Sequence, residues 1–278
     1  MALTSPIIPP TGAAVIHASA IIEQGAKIGA GVSIGPFCHV AAGATLEDGV
    51  SLVSHVSIAG TTIVGARVKI YPFASIGHPP QDLKYRGESV RLIIGPDCLI
   101  REGVTMNPGT AGGGMVTRVG DNSLFMVGVH IAHDCQIGNR VVMANNATLA
   151  GHVIVEDNAI IGGLCGVHQY VRIGRHAMLG AMSAVVRDII PYGQVAGDRA
   201  TLHGVNIIGM QRGGFSREEI QALRHAYQLL FSGDGTLSDR VAEVAERFAG
   251  IGPVADVVAF IRADSSRAFC QPKGDNDG

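Results

Sequence analysis

The sequence has no tryptophan, and aromatic residues fill only 5% of its 278 positions. A core of that composition cannot rest on large rings, so it must be assembled from small aliphatic side chains in regular, closely stacked layers. An excess of charge of either sign is also missing. With 21 Lys and Arg against 23 Asp and Glu, the formal charge is −2. Nothing draws the whole chain to nucleic acid or to an anionic membrane, no nucleic-acid partner is expected, and an acidic partner must meet a local basic patch. No apolar run approaches the ~20 residues of a membrane span. The opening MALTSPIIPPTG lacks the basic stretch that begins a secretory signal, so a cytoplasmic location without a membrane span is expected. The five cysteines are odd in number and form no CxxC pair, and a reducing cytosol keeps such residues as thiols.

What is abundant is glycine, 38 residues, within a chain that is 47% hydrophobic and 16% charged. That is the composition of a soluble chain with a core. An apolar residue recurs every six positions from Ile16 through Ile34, Leu52 and Ile70 to Ile76, resumes at Ile94, Ile100 and Met106, and runs again from Val119 through Ile137 and Ile161 to Val185. Four residues after each anchor stands a small or β-branched residue, including Cys38, Cys98, Cys135 and Cys165. Four of the five cysteines therefore read as small core hydrophobes. A glycine often follows the anchor, as at Gly35, Gly65, Gly95, Gly138 and Gly162, where it is expected to relax the backbone at a corner.

A period of six does not fit a helix of 3.6 residues per turn, but it fits a short strand and a bend. Three such units close a coil of eighteen residues. The expected fold is mainly β, a parallel β-helix over residues 1–203 with a C-terminal α-helical domain over 204–278. Two stretches break the frame, HPPQDLKYRGESVRLI at 78–93 and NPGTAGGGMVTR at 107–118, and are expected to loop outward, where binding residues tend to sit. From Ser216 the SREE sequence reads as a capping box, with Ile220, Leu223, Tyr227 and Leu230 at helical spacing. Further helices are expected near 239–248 and 254–261, and a frayed tail after Arg267.

Because one coil takes eighteen residues, positions eighteen apart should be stacked neighbours. His133 then falls beside Gly151 and Gly151 beside Gln169, while Asp134 falls beside His152 and Tyr170. With His130 and His168 these residues converge on one side, unlike His17, His39, His55 and His176, which read as structural or surface residues. An imidazole beside a carboxylate can accept a proton at neutral pH. A glycine amide next to it suits an oxyanion donor. No nucleophile elbow or suitably placed cysteine is visible, which favours direct attack by an activated hydroxyl over an acyl-enzyme. A polar surface patch and a three-histidine zinc site are the alternatives, although HIAH is closer-spaced than such zinc sites usually are.

The segments HIAHDCQIGNRVVMANNATLAGHV, IIGGLCGVHQ, QDLKYRGE and GVNIIGMQRGGFSREEI together resemble the acyl-ACP:UDP-N-acetylglucosamine O-acyltransferase family, which opens lipid A synthesis. The likeness runs through almost the whole chain. It implies a left-handed coil, a homotrimer with active sites between neighbouring solenoids, acyl carrier protein and UDP-N-acetylglucosamine as partners, and no metal or bound cofactor. It also implies that His133 is the general base, Asp134 its carboxylate and Gly151 the oxyanion amide. Asp82 and Lys84 would contact the nucleotide sugar, His130, His152, His168 and Gln169 would line the cleft, and Asn206 and Arg212 would lie near the uridine and phosphates. The family gauges acyl length with a residue of a late coil, matched here by Ala181 and followed by Met182, which points to an intermediate chain. Asn107-Pro108, Ile208 and Gly213 depart from the family's pattern, so nucleotide contacts are expected to be fewer or rearranged. Arg91, Arg101, Arg118, Arg140, Arg172 and Arg175 are candidate contacts for the acidic carrier. The residues do not decide between a 3-hydroxyl and a 3-amino acceptor. A related N-acyltransferase is a weaker alternative, since its family usually places a uridine-binding domain ahead of repeats that here begin by Ile16, and a non-catalytic solenoid is the alternative from a different class.

Overall fold

A computed structural model describes residues 12–232 and 235–273. The chain forms two compact units, residues 1–134 and 135–278, and in each of them a left-handed parallel β-helix is built from two-residue strands. The outer ends of the two expected domain ranges, residues 1–11 and 274–278, lie outside the described residues.

In the first unit the strands stack in three parallel sheets. Ser33–Ile34 pairs with Ser51–Leu52, His39–Val40 with Ser57–Ile58, and Lys27–Ile28 with Thr45–Leu46. Each of these pairings joins residues eighteen apart. The anchor and the residue four beyond it both point inward, so Ile34, Cys38, Val40, Ala44, Leu46 and Val50 are all buried. The corners are turned by residues in the left-handed region, such as Phe37 at φ 57°, His55 at 50° and Phe73 at 65°. That conformation costs a non-glycine residue roughly 1–2 kcal/mol. Hydrogen bonds between stacked corners, with Phe73 N–H donating to the His55 carbonyl at 3.1 Å and His55 N–H to the Pro36 carbonyl at 3.0 Å, offset it.

Most of the glycines after the anchors serve a different end from the one expected, whereas Gly77, at φ 82°, does relax the backbone at its corner. Gly35, Gly65, Gly95, Gly138 and Gly162 do not have positive φ. They are small because the next coil runs directly against them. A Cβ on Gly35 would overlap the Val53 carbonyl oxygen, and one on Gly65 would come within 2.7 Å of the Ile94 carbonyl.

Both interruptions leave the coil at the same corner, between the second sheet and the third. Lys69 pairs with Leu99, thirty residues on, and Leu99 with Leu124, twenty-five on. The loops are shorter than the broken frame suggested, because Arg91–Ile94 and Val116–Val119 are four-residue strands of the third sheet. Leu92 and Thr117 face the interior there and extend the core by one position.

In the second unit the eighteen-residue register continues, with Gln136 against Ile154 and Ile154 against Arg172. An antiparallel pair, Gly193–Ala196 with Thr201–Val205, ends the coils. Four helices follow: α1 (Ile207–Arg212), α2 (Arg217–Ser232), α3 (Leu237–Arg247) and α4 (Gly252–Arg262). The capping box at Ser216 forms, with Glu219 N–H donating to Ser216 Oγ at 3.1 Å and Ser216 N–H to Glu219 Oε2 at 2.8 Å. Ile220, Leu223 and Leu230 are buried along α2, joined by Ala226, while Tyr227 is half-buried.

Residues 268–271 are not frayed, and 274–278 lie outside the described residues. Asp188 N–H donates to the Ala268 carbonyl, Cys270 N–H to Asp188, and Leu202 N–H to Gln271. Exposed backbone of the last coil would otherwise lose its partners, and residues 268–271 supply them. Beneath this strap the Asp188 carboxylate, fully buried, accepts from Arg172 Nε at 2.7 Å, Arg172 N–H at 2.8 Å and Ser265 Oγ at 2.6 Å. The Arg172 guanidinium lies 4.4 Å over the Phe260 ring of α4. Arg172 is thus a tie between coil and helices and not a surface contact for an acidic carrier.

Candidate active site

His133 and Asp134 occupy the corner that follows strand His130–Ile131, the same corner from which both loops depart in earlier coils. The second loop therefore reaches them. Asp134 takes the left-handed conformation, φ 60°, which a short polar side chain tolerates. Its backbone N–H donates to Thr117 Oγ1 at 2.8 Å. Its carboxylate accepts from Thr110 N–H at Oδ1, 2.8 Å, and from Thr110 Oγ1 at Oδ2, 2.6 Å. The imidazole of His133 meets Oδ2 through Nδ1 at 2.8 Å. An ionised carboxylate only accepts, so Nδ1 carries the proton and Nε2 is the basic nitrogen. Both residues are buried, His133 at 8% exposure and Asp134 at 4%.

His130 lies one strand position before this corner and shares a 2.7 Å hydrogen bond with Thr105 Oγ1. Burial, and then the nearby His133, hold its imidazole below the usual 6.5, which keeps it neutral. Asp82 and Lys84 sit in the first loop, where Asp82 Oδ1 accepts from Lys84 N–H at 3.0 Å and turns the chain. The Lys84 side chain is exposed. Leu83 between them is 95% exposed.

In the second unit Gly151 is buried at the corner after strand Thr148–Leu149, and its carbonyl accepts from Tyr170 N–H. The next corner residue, His152, stacks on Tyr170 with ring centroids 4.4 Å apart, which is the eighteen-residue neighbour relation expected of that pair. His168 and Gln169 are exposed and share a partner that the sequence did not suggest: Arg267 donates to His168 Nδ1 at 2.8 Å and to the Gln169 carbonyl at 3.1 Å. The outward residues of this sheet are Thr148, Gly166 and Ala184. A Cβ on Gly166 would meet nothing within 4 Å, so the strip is open. Leu164 and Met182, at 60% and 70% exposure, stand at the corners on one side of it. Ala181 is exposed beside Met182.

A cavity of about 700 Å³ lies in the second unit against α1. Val142, Ile160 and Met178 form its apolar floor, and Arg140, His176, Gln194 and Arg212 supply polar groups. Asn206 lines it but is committed to local structure: Oδ1 accepts from Gly209 N–H at 2.9 Å, capping α1, and Nδ2 donates to the His176 carbonyl at 2.9 Å. Ile208 and Gly213 also line it. Their side chains bring no charge, so Arg140 and Arg212 are the cations that face this cavity.

His176, read from the sequence as a plain structural residue, stacks on Tyr192 at 5.4 Å and meets Phe215 edge-on at 5.2 Å. Burial first, then Arg175 and Arg140, hold its imidazole below 6.5. A histidine held low binds fewer protons folded than unfolded, so its contribution favours the folded state as pH rises. The penalty is absent above about 6.5 and grows as pH falls below it. Substitution H176Q is expected to flatten the decline of the urea midpoint as pH falls below about 6.5. An unchanged slope counts against this account.

Residues 188–270 match the family model described as Udp N-acetylglucosamine O-acyltransferase, Domain 2, and residues 25–60 and 117–151 match the bacterial transferase hexapeptide model. A relative from Rhizobium johnstonii named acyl-[acyl-carrier-protein]–UDP-N-acetylglucosamine O-acyltransferase is 46% identical over 257 residues, 92% of this chain and 94% of its own. The chain belongs to this acyltransferase family. A second acyltransferase of that name, from Paracoccus denitrificans, is 56% identical over 204 residues, 73% of this chain and 77% of its own. A crystal structure of a UDP-N-acetylglucosamine acyltransferase superposes with a TM-score of 0.89 at 41% identity, covering 93% and 99% of the two chains. The corresponding acyltransferase from Campylobacter jejuni gives 0.88 at 35% identity, covering 93% and 100%.

Proposed function

We propose that the chain transfers a 3-hydroxyacyl group from acyl carrier protein to the 3-position of the sugar of UDP-N-acetylglucosamine, the first step of lipid A biosynthesis. It does so in the cytoplasm, as a homotrimer, with no metal or bound cofactor. The observation that carries this reading is the buried His133–Asp134 hydrogen bond at 2.8 Å, an arrangement made to take a proton from a hydroxyl. His133 Nε2 removes the proton of the sugar 3-hydroxyl as its oxygen attacks the thioester carbonyl. The Gly151 N–H steadies the oxyanion. Collapse breaks the C–S bond, completes the C–O ester bond and returns the proton from His133 to the carrier thiolate.

Direct attack is favoured because the thiols are spent on packing. All five cysteines are buried thiols outside any disulfide. Burial pushes Cys98 up to about 12 and Cys270 up to about 11, which leaves their thiolates negligible at neutral pH. Cys135, two residues past His133, is fully buried and donates to the Ala150 carbonyl at 3.2 Å.

The open strip over Gly166 and Ala184, walled by Leu164 and Met182, suits an acyl chain. Ala181 stands beside Met182 on that wall, and His152, His168 and Gln169 border the strip. The cavity on α1 suits the nucleotide, with its apolar floor under the base and Arg212 toward the diphosphate. In this reading Asn206 acts through the cap it gives α1. Asp82 and Lys84 hold the sugar from the first loop, and His130 stays neutral beside the base.

One experiment tests the reading and its finer points. The purified protein is offered UDP-N-acetylglucosamine, its 3-amino analogue and an equimolar mixture of 3-hydroxyacyl carrier proteins of graded length, and the products are read by mass spectrometry. Product from the 3-hydroxyl sugar with an intermediate chain is expected. No product from either sugar sinks the function, and a clear preference for the longest chain sinks the roles of Ala181 and Met182.

A further inference from the structure

The second loop carries a function that neither its composition nor its place in the repeat announces. A carboxylate on its own turns about a broad, two-fold terminal torsion and presents either oxygen to a neighbour. At the corner of residues 132–134 that freedom is removed from one direction. Thr110, near the loop's start, grips both oxygens of Asp134, its N–H on Oδ1 at 2.8 Å and its hydroxyl on Oδ2 at 2.6 Å. Thr117, on the returning strand, accepts the Asp134 N–H at 2.8 Å and so holds the backbone in its left-handed turn. Gly113, between them, lies so close that a Cβ there would overlap the Asp134 carboxylate. The two threonines are buried, at 5% and 0% exposure, and the insertion delays the register here by seven residues, with Leu99 paired to Leu124.

We propose that Thr110 is a positioning residue for the acyl transfer, its amide and hydroxyl locking the Asp134 carboxylate so that Oδ2 faces His133 Nδ1. The inference rests on the reading of His133 as the base. Oδ2 accepts two hydrogen bonds, one from Thr110 Oγ1 and one from His133 Nδ1. The threonine hydroxyl thereby fixes the direction from which the imidazole can donate, and with it the ring tautomer and the aim of Nε2. Without the hydroxyl, Oδ2 loses its bond to Thr110 and the carboxylate is held less firmly against rotation. The imidazole then samples orientations in which Nε2 misses the acceptor hydroxyl, which lowers the rate of the chemical step more than substrate binding.

The test compares T110V and T110S with the parent protein, using kcat and KM for the nucleotide sugar together with the ¹⁵N-edited proton spectrum of the histidine rings. T110V keeps shape and the backbone donor while deleting the hydroxyl. It is expected to lower kcat about tenfold with KM within about twofold, and to broaden or abolish the protected Nδ1 proton resonance of His133. T110S, which restores the hydroxyl, is expected to restore both. Should T110V not fold, T110A reads the same loss of hydroxyl. Parent-like kcat and an intact resonance in the hydroxyl-free variant overturn the proposal. Equal losses in T110S and T110V overturn it too, since they mark a packing role for the side chain. The resonance is read without turnover, so a lock on His133 in a protein whose H133A variant still works at full rate indicts the base assignment and leaves the lock standing.

Discussion

Substitution H133A is expected to lower kcat by at least ~100-fold, the smaller end of what a positioned general base contributes. The size follows from the arrangement. A sugar hydroxyl is a poor nucleophile while protonated, and the buried cysteines offer no covalent detour. The site is also closed to easy substitution by solvent, since His133 is only 8% exposed and Asp134 4%. KM for the nucleotide sugar should change little, because the cations proposed to hold the diphosphate are on α1 and its surroundings. Measuring kcat and KM separately checks both statements, and near-normal turnover removes His133 from the mechanism. Substitution D134N should fall in between, as it keeps the side chain's shape but turns an acceptor oxygen into a donor that competes with His133 Nδ1.

Substitution D188A is expected to cost about 3–5 kcal/mol of stability, the penalty for leaving one partner of a buried ion pair uncompensated. Asp188 is fully buried, and its carboxylate takes three donors, two from Arg172 and one from Ser265. Removing it strands a guanidinium whose side chain is 12% exposed under α4 and the strap at 268–271. The measurement is the urea midpoint at fixed protein concentration, so that any change in association does not enter. The double substitution R172M/D188A should recover part of the loss, because it leaves no stranded charge although the Arg172 N–H and the Ser265 hydroxyl still lose their acceptor. A loss below about 1 kcal/mol in D188A shows that water reaches the guanidinium and that the tie is not structural.

The six-residue rhythm was enough to read the coil, the burial of Cys38, Cys98, Cys135 and Cys165, the eighteen-residue stack of His152 on Tyr170 and the capping box at Ser216. Each of these is a local pattern repeated, and burial against an identical neighbour needs no information beyond the repeat itself. The His133–Asp134 pair was legible for the same reason, since adjacent residues at one corner are neighbours in any conformation of the coil. The reading failed where contacts join residues out of step with the repeat. Thr110 and Gly113 reach Asp134 only because a loop leaves the preceding coil at that very corner. Arg267 reaches His168 across almost a hundred positions, and residues 268–271 are held by the open end of the last coil. Gly77 relaxes its corner as the pattern implies, but at Gly35, Gly65, Gly95, Gly138 and Gly162 the reason is different, because a Cβ there would meet the next coil, whose closeness no single hexapeptide reveals. Periodicity therefore accounts for the scaffold, whose energy is a sum of like contacts between neighbours. The clamp on the carboxylate, the tie at Asp188 and the lining of the cavity on α1 come from three-dimensional closure, where a few unlike residues far apart in the chain meet once.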